Sequence, residues 1–105
     1  MFISLLPHAV SVLLATGETM TIEPSGTIAR CEQQEETLCE IDGVTITRQV
    51  LGGVTGLPPR QEGIRFIVSR LVASAAPGRE DLLIPGPLVR DEKGVVIGCR
   101  GLSVL

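Results

Sequence analysis

The rhythm of apolar and polar positions changes several times along this chain, and each change marks an element. Between Gly63 and Gly101 the run Ile64-Arg65-Phe66-Ile67-Val68-Ser69 passes into Arg70-Leu71-Val72-Ala73-Ser74-Ala75-Ala76 and then Pro77-Gly78. Ile64, Ile67, Val68, Leu71, Val72 and Ala75 fit one long helix at i, i+3, i+4, i+7, i+8 and i+11. Ile64, Ile67, Val68 and Val72 are β-branched, which favours strand, whereas Leu71, Ala73, Ala75 and Ala76 are better helix formers. The preferred reading is therefore a strand to Val68 and a short helix from Arg70, with the single helix as its rival. Pro77-Gly78 ends the helix in either case. Asp81-Leu82-Leu83-Ile84-Pro85 predicts another strand, and Leu88-Val89-Arg90 with Val95-Val96-Ile97-Gly98 a hairpin turning at Asp91-Glu92-Lys93-Gly94.

The first half alternates more plainly. Phe2–Leu6 predicts a strand that Pro7 breaks, and Ala9–Ala15 resumes with Val10, Val12 and Leu14 on one face. Thr19–Glu23 answers it after a turn at Thr16-Gly17-Glu18, with Met20 and Ile22 inward. Ile28–Gln33 and Thr37–Ile41 flank Gln34-Glu35-Glu36, which reads as a turn setting Cys31 opposite Cys39 and Arg30 opposite Glu40. Asp42-Gly43 is a two-residue hairpin signal ahead of Val44–Leu51. Gly52-Gly53 to Gly63, with Pro58 and Pro59, reads as an ordered loop. Together these predict a single α+β domain over residues 1–105: a mostly antiparallel curled sheet or small barrel with one short helix.

Composition narrows the partners. Phe2 and Phe66 are the only aromatics and the net charge is −3, which disfavours base stacking and broad phosphate-backbone contact, so nucleic acid is not an expected partner. Phe2–Leu6 is too short for a membrane or signal segment. Cys31, Cys39 and Cys99 make no CxxC or Cys/His cluster, so neither a metal nor a cofactor is expected. Two buried thiols are the plainer reading of Cys31 and Cys39, a disulfide the other. An odd cysteine count points to a reducing, cytoplasmic setting. The small, aliphatic, weakly charged chain suggests a homo-oligomer.

Eight of the nine basic residues are arginine, whose planar fork suits paired contacts to phosphate or carboxylate. Four places are candidates. His8, after Pro7, can contact a ligand or cap a kink. Ser25 and Thr27 in Pro24-Ser25-Gly26-Thr27, with Arg30 close by, can hold an anion or form a plain turn. Ser69 and Arg70 stand where the helix starts, an anion position or merely an N-cap. Arg90 stands beside the last hairpin turn, free or in a surface ion pair. No Ser/His/Asp set or nucleophile elbow is present in the sequence.

Ser4-Leu5-Leu6-Pro7-His8-Ala9-Val10 resembles the Asn-Leu-Thr-Pro-His-like opening of a family of short, uncharacterised phage and actinobacterial proteins, with Leu6 where the usual Thr stands. Pro24-Ser25-Gly26-Thr27-Ile28-Ala29-Arg30, Gly56-Leu57-Pro58, Ile67-Val68-Ser69, Leu71-Val72-Ala73 and Val89-Arg90-Asp91 resemble its later motifs in the same order. The resemblance implies a phage or bacterial cytoplasmic setting. With the arginine-rich, hydroxyl-bearing junctions, it leads to an expected function: non-catalytic sequestration of a small anionic, nucleotide-like molecule, an anti-defence sponge. His8, Ser25, Thr27, Arg30, Ser69, Arg70 and Arg90 are the expected ligand residues. The alternatives are a protein-blocking inhibitor or virion component, and a small nucleotide hydrolase.

Overall fold

A computed structural model describes all 105 residues. Ten strands and one helix follow in chain order: β1 (Phe2–Ser4), β2 (Val10–Leu13), β3 (Thr19–Ile22), β4 (Arg30–Ile41), β5 (Val44–Thr55), β6 (Arg65–Ile67), α1 (Arg70–Ala75), β7 (Leu82–Pro85), β8 (Leu88–Arg90), β9 (Val96–Arg100) and β10 (Leu102–Ser103). They form three sheets, ordered β1-β6-β7-β10, β3-β2-β9-β8 and β4-β5, and these do not close into a barrel.

The break inside residues 64–76 falls where the side-chain types change. β-branched residues stay extended to Ile67, and the helix begins after Ser69, whose hydroxyl accepts from the Val72 amide at 3.3 Å. The segment β6-α1-β7 is a crossover, so β6 and β7 run parallel, with Phe66 beside Leu82. β1 also runs parallel to β6, pairing Ile3 with Phe66, and β2 runs parallel to β9, pairing Val12 with Cys99. The sheets are therefore mixed, and their three parallel pairings join segments that lie far apart or bracket the helix.

The first two sheets share a wall. Phe66 and Val68 enter one core with Leu5, Ala29, Val72, Ala73, Leu82 and Ile84, against α1 and the root of the β4–β5 ribbon. Ile67, between them, enters a second core with Leu6, Val10, Val12, Ile22 and Cys99. Adjacent residues point to opposite faces of a strand, so beyond the exposed Arg65 the run Phe66-Ile67-Val68 is buried on both sides and is apolar throughout. Leu5 and Leu6 divide in the same way. Leu5 also donates its amide to the Ile67 carbonyl at 2.8 Å and accepts from the Ala29 amide at 3.1 Å.

One charged side chain lies inside. Asp81 is fully buried before β7, and both its carboxylate oxygens accept from Arg79, at 2.9 Å from Nε and 2.8 Å from Nη2. Arg79 Nη2 also donates to the Pro58 carbonyl at 2.9 Å, which ties the Gly56–Gly63 loop to β7. The forked hydrogen bond from Arg79 holds the Asp81 carboxyl below its ordinary range, and Asp81 raises Arg79.

The middle of the chain departs from the sequence expectation. Gln34-Glu35-Glu36 is not a turn: β4 runs through it for 12 residues and pairs with all of β5. Arg30 faces Thr55 and Glu40 faces Thr45, while Cys31 faces Val54 and Cys39 faces Ile46. Cys31 and Cys39 thus sit eight positions apart on one strand, about 26 Å by strand rise, and all three cysteines are free thiols. Cys31 is half-buried and Cys39 exposed, so they are not two buried thiols either. Gly52-Gly53 belongs to β5, not to the loop. The two glycines stand against Glu32 alone, and a Cβ on Gly52 would meet the Glu32 Cβ at 3.0 Å. This is a bulge, and glycine is what the close approach requires. The hairpin turn is where Asp42-Gly43 placed it, with φ of 51° and 80°.

Arg79→Ala leaves the Asp81 carboxylate buried without its partner. Because Arg79 keeps about a quarter of its side chain in solvent, the expected loss is at the lower end for such pairs, about 3 kcal/mol at neutral pH. The folded-state pKa of Asp81 is depressed, so the pair stabilises fully above the ordinary carboxylate range and fades as pH falls below it. Urea unfolding of both proteins from pH 7 to pH 2 should show the gap between them constant at first and then narrowing in acid.

Candidate functional site

The parallel run β1-β6-β7 places three chain reversals on one edge of the sheet. β1 leads into Leu5-Leu6-Pro7-His8, β6 into Val68-Ser69-Arg70, and β7 into Gly86-Pro87-Leu88. The carboxyl edge of parallel strands is where connecting loops converge and where ligands are commonly held.

Two recesses open around the β7–β8 corner. One is an open cleft of about 340 Å³ whose lining includes His8, Ser11, Pro85, Leu88, Val96 and Cys99. The other, about 530 Å³, is lined by Arg70, Ile84, Pro85, Leu88 and Ser103 among others. Pro85 and Leu88 are walls of both, so His8 and Arg70 flank the same corner from two sides. The corner is tight. Gly86 donates its amide to the Gly101 carbonyl at 3.0 Å, and a Cβ there would collide with the Arg100 carbonyl oxygen.

His8 is exposed, and its Nδ1 donates to its neighbour Ala9's carbonyl at 3.1 Å. That bond leaves Nε2 as the outward ring nitrogen. Arg70 is exposed and makes no side-chain hydrogen bond. Arg90 lies two residues beyond Leu88 on β8, and its Nη1 donates to the Gly94 carbonyl at 2.9 Å, which leaves its other nitrogens outward. The cleft walls are mostly apolar, with His8 and Ser11 among them, and Arg70 lines the adjoining recess. A flat ring against Leu88 and Val96 with an anionic group toward Arg70 or Arg90 is the chemistry this corner suits.

The remaining expected residues lie elsewhere or are already engaged. Ser25 donates its amide and its hydroxyl to the Ser4 carbonyl, at 3.1 and 2.6 Å, on the outer edge of β1. The Thr27 amide donates to Ser25 Oγ at 3.4 Å. Arg30 begins β4 at the root of the ribbon, exposed and opposite Thr55. Ser69 serves as the helix cap. The structure therefore brings His8 and Arg70 to one corner, sets Arg90 next along β8, and groups Ser25, Thr27 and Arg30 on the other side of β1. Sequence reasoning did not single out Pro85, Leu88, Val96 or Cys99. They carry no chemical signature, and only the pairing of Leu88 with Cys99 makes them neighbours.

No group of three or more His, Cys, Asp or Glu side chains is placed to hold a metal ion. No helix is long and apolar enough to cross a membrane. No protein-family model, curated protein or solved structure matches this chain.

Substitutions should divide into two classes. Ser25→Ala and Ser69→Ala remove hydroxyls that satisfy backbone groups and should each cost about 1 kcal/mol of unfolding free energy. His8→Ala and Arg70→Ala touch exposed side chains without long-range bonds and should change it by less than about 0.5 kcal/mol. Thermal unfolding of the four variants checks this split, and the second pair then reports on binding without a folding defect.

Proposed function

We propose that the protein binds a small anionic, nucleotide-like molecule without transforming it, and acts by sequestering it in the cytoplasm of a bacterial or phage-infected cell. The observation that carries the reading is the placement of His8 and Arg70 on two sides of the Pro85–Leu88 corner, at the carboxyl edge of the parallel strands. The cleft is at the lower end of the size range for small-molecule sites. In this reading Leu88 and Val96 pack on a base, His8 Nε2 meets the base or ribose, and Arg70 and Arg90 meet the phosphates. Ser25, Thr27 and Arg30 lie across β1 and belong to the same ligand only where a second subunit completes the site. The working form is a homo-oligomer. The resemblance of the Pro7-His8 and Ser25-Gly26-Thr27 segments to a partly viral family supports an anti-defence role.

A second reading, a protein-blocking or structural component, is favoured by the long β4–β5 ribbon, which is exposed over most of its length beyond its root. It predicts co-purification with a host protein or presence in virions, and no small-molecule binding.

Calorimetric titration against cyclic dinucleotides and cyclic ADP-ribose isomers tests the first reading. At least one compound should bind more tightly than about 100 μM, and His8→Ala or Arg70→Ala should weaken it about ten- to a hundredfold. Binding weaker than that across the panel, or binding indifferent to both substitutions, overturns it.

A further inference from the structure

The β4–β5 ribbon is too long and too bare for a monomer. Its strands have 12 residues each, it pairs with no third strand, and only its root, Ala29, Cys31 and Val54, touches a core. Isolated two-stranded ribbons are marginal in water, because neither face excludes solvent. The whole molecule carries the mark of it. The accessible surface is 7163 Å² and the radius of gyration 16.6 Å, with extents of 52 × 40 × 22 Å. A monomer of this mass ordinarily exposes about 5,700 Å², and a chain of this length has a radius of gyration of about 13 Å. The surplus, roughly 1,500 Å², is about twice what one partner contributes to a standard interface.

The two faces of the ribbon differ in chemistry. Following the register, Ile41, Val44, Cys39, Ile46, Gln34 and Val50 share one face with the cross-strand pair Glu36 and Arg48. The other face carries Glu35, Glu40, Gln33 and Gln49 with Thr37, Thr45, Thr47 and one exposed apolar residue, Leu51, while Leu38 is the extra residue of a second bulge. Acidic charge is thus gathered on one side, and the apolar side holds one acid facing one base. Ile41 and Val44 are 56% and 58% exposed at the tip. We infer that the apolar face of the β4–β5 ribbon is the surface by which a second copy of this chain is bound, the acidic face remaining in solvent.

This inference rests on the oligomeric part of the proposed function and not on its ligand. Two features favour a second copy over an unrelated partner. The surplus area suits a stable dimer, and the charge-balanced apolar face can meet its own image without repulsion, as a two-fold interface requires.

Sedimentation equilibrium from 1 to about 100 μM on the full chain tests it, a range that separates a stable dimer from a weak one. Three proteins are compared: the wild type, Ile41→Glu with Val44→Lys, and Thr45→Lys with Gln49→Lys. The first pair of substitutions places opposite charges across the turn, so the hairpin keeps a favourable cross-strand pair while the apolar face is lost. The second pair alters the acidic face, opposite Glu40 and Glu35. An oligomeric wild type, a monomeric apolar-face variant and an oligomeric acidic-face variant support the assignment. A wild type that stays monomeric overturns it together with the oligomeric part of the proposed function. An oligomer untouched by the apolar-face variant overturns the assignment alone. Should that variant fail to fold, as judged by far-UV circular dichroism, Ile41→Thr with Val44→Thr replaces it. It should raise the dissociation constant at least about tenfold, and no change overturns the assignment.

Discussion

Three consecutive residues at the end of β6 and just beyond it hold this protein together. Phe66, Ile67 and Val68 are almost without solvent contact, and they face alternately into two cores. Neither core is large. One gathers α1 and the ribbon root, the other the β3-β2-β9-β8 sheet, and each needs β6 as its floor. Substituting the floor would loosen both cores together, so the two layers cannot unfold independently of that strand. The residues just after β1 repeat the arrangement at the sheet's edge, with Leu5 and Leu6 dividing between the cores. Ser25 and Ala29 donate to the carbonyls of Ser4 and Leu5, which fixes that edge and closes it to further strands.

The candidate site is a by-product of that arrangement. Once β1, β6 and β7 run parallel, their exits must lie on one side, and His8, Arg70 and Leu88 follow within a few residues of the strand ends. The hydroxyls that looked equally suited to a ligand are spent inside the fold. Ser69 caps α1, and Ser25 bonds to β1. What remains at the corner is one imidazole, the Arg70 side chain, the hydroxyls of Ser11 and Ser103 and largely apolar walls, a set suited to recognising shape and charge.

Local signals are legible in this sequence and long-range ones are not. Asp42-Gly43, the change from strand to helix between Ile67 and Arg70, and the β8–β9 hairpin all depend on neighbouring residues, and the sequence carries them openly. The ribbon was misread because alternation is a signature of half-buried strands. Where both faces meet water, as at Gln33-Gln34-Glu35-Glu36, polar residues imitate a turn. Gly52-Gly53 misled for the opposite reason: a bulge needs what a loop also uses. The parallel pairings of β1 with β6 and of β2 with β9 leave no local trace. The one of β6 with β7 was implied by the helix between them, since a crossover of that kind joins parallel neighbours. The Asp81–Arg79 pair leaves only a faint trace, an acid directly before the run Leu82-Leu83-Ile84 with an arginine two places earlier.

The pairing of Val12 with Cys99 also bears on how the chain is born. On a ribosome adding about 5–20 residues per second, roughly 4 to 17 s pass between residue 12 and residue 99. Throughout that interval Val10 and Val12 have β3 for company but no sheet to join, and the second core cannot close. The β4–β5 ribbon, whose contacts are nearly all to itself, is free to form within microseconds of its own emergence. Alone, however, a two-stranded ribbon is marginal, so its apolar face becomes a lasting surface only once α1, β6 and β7 have packed on its root.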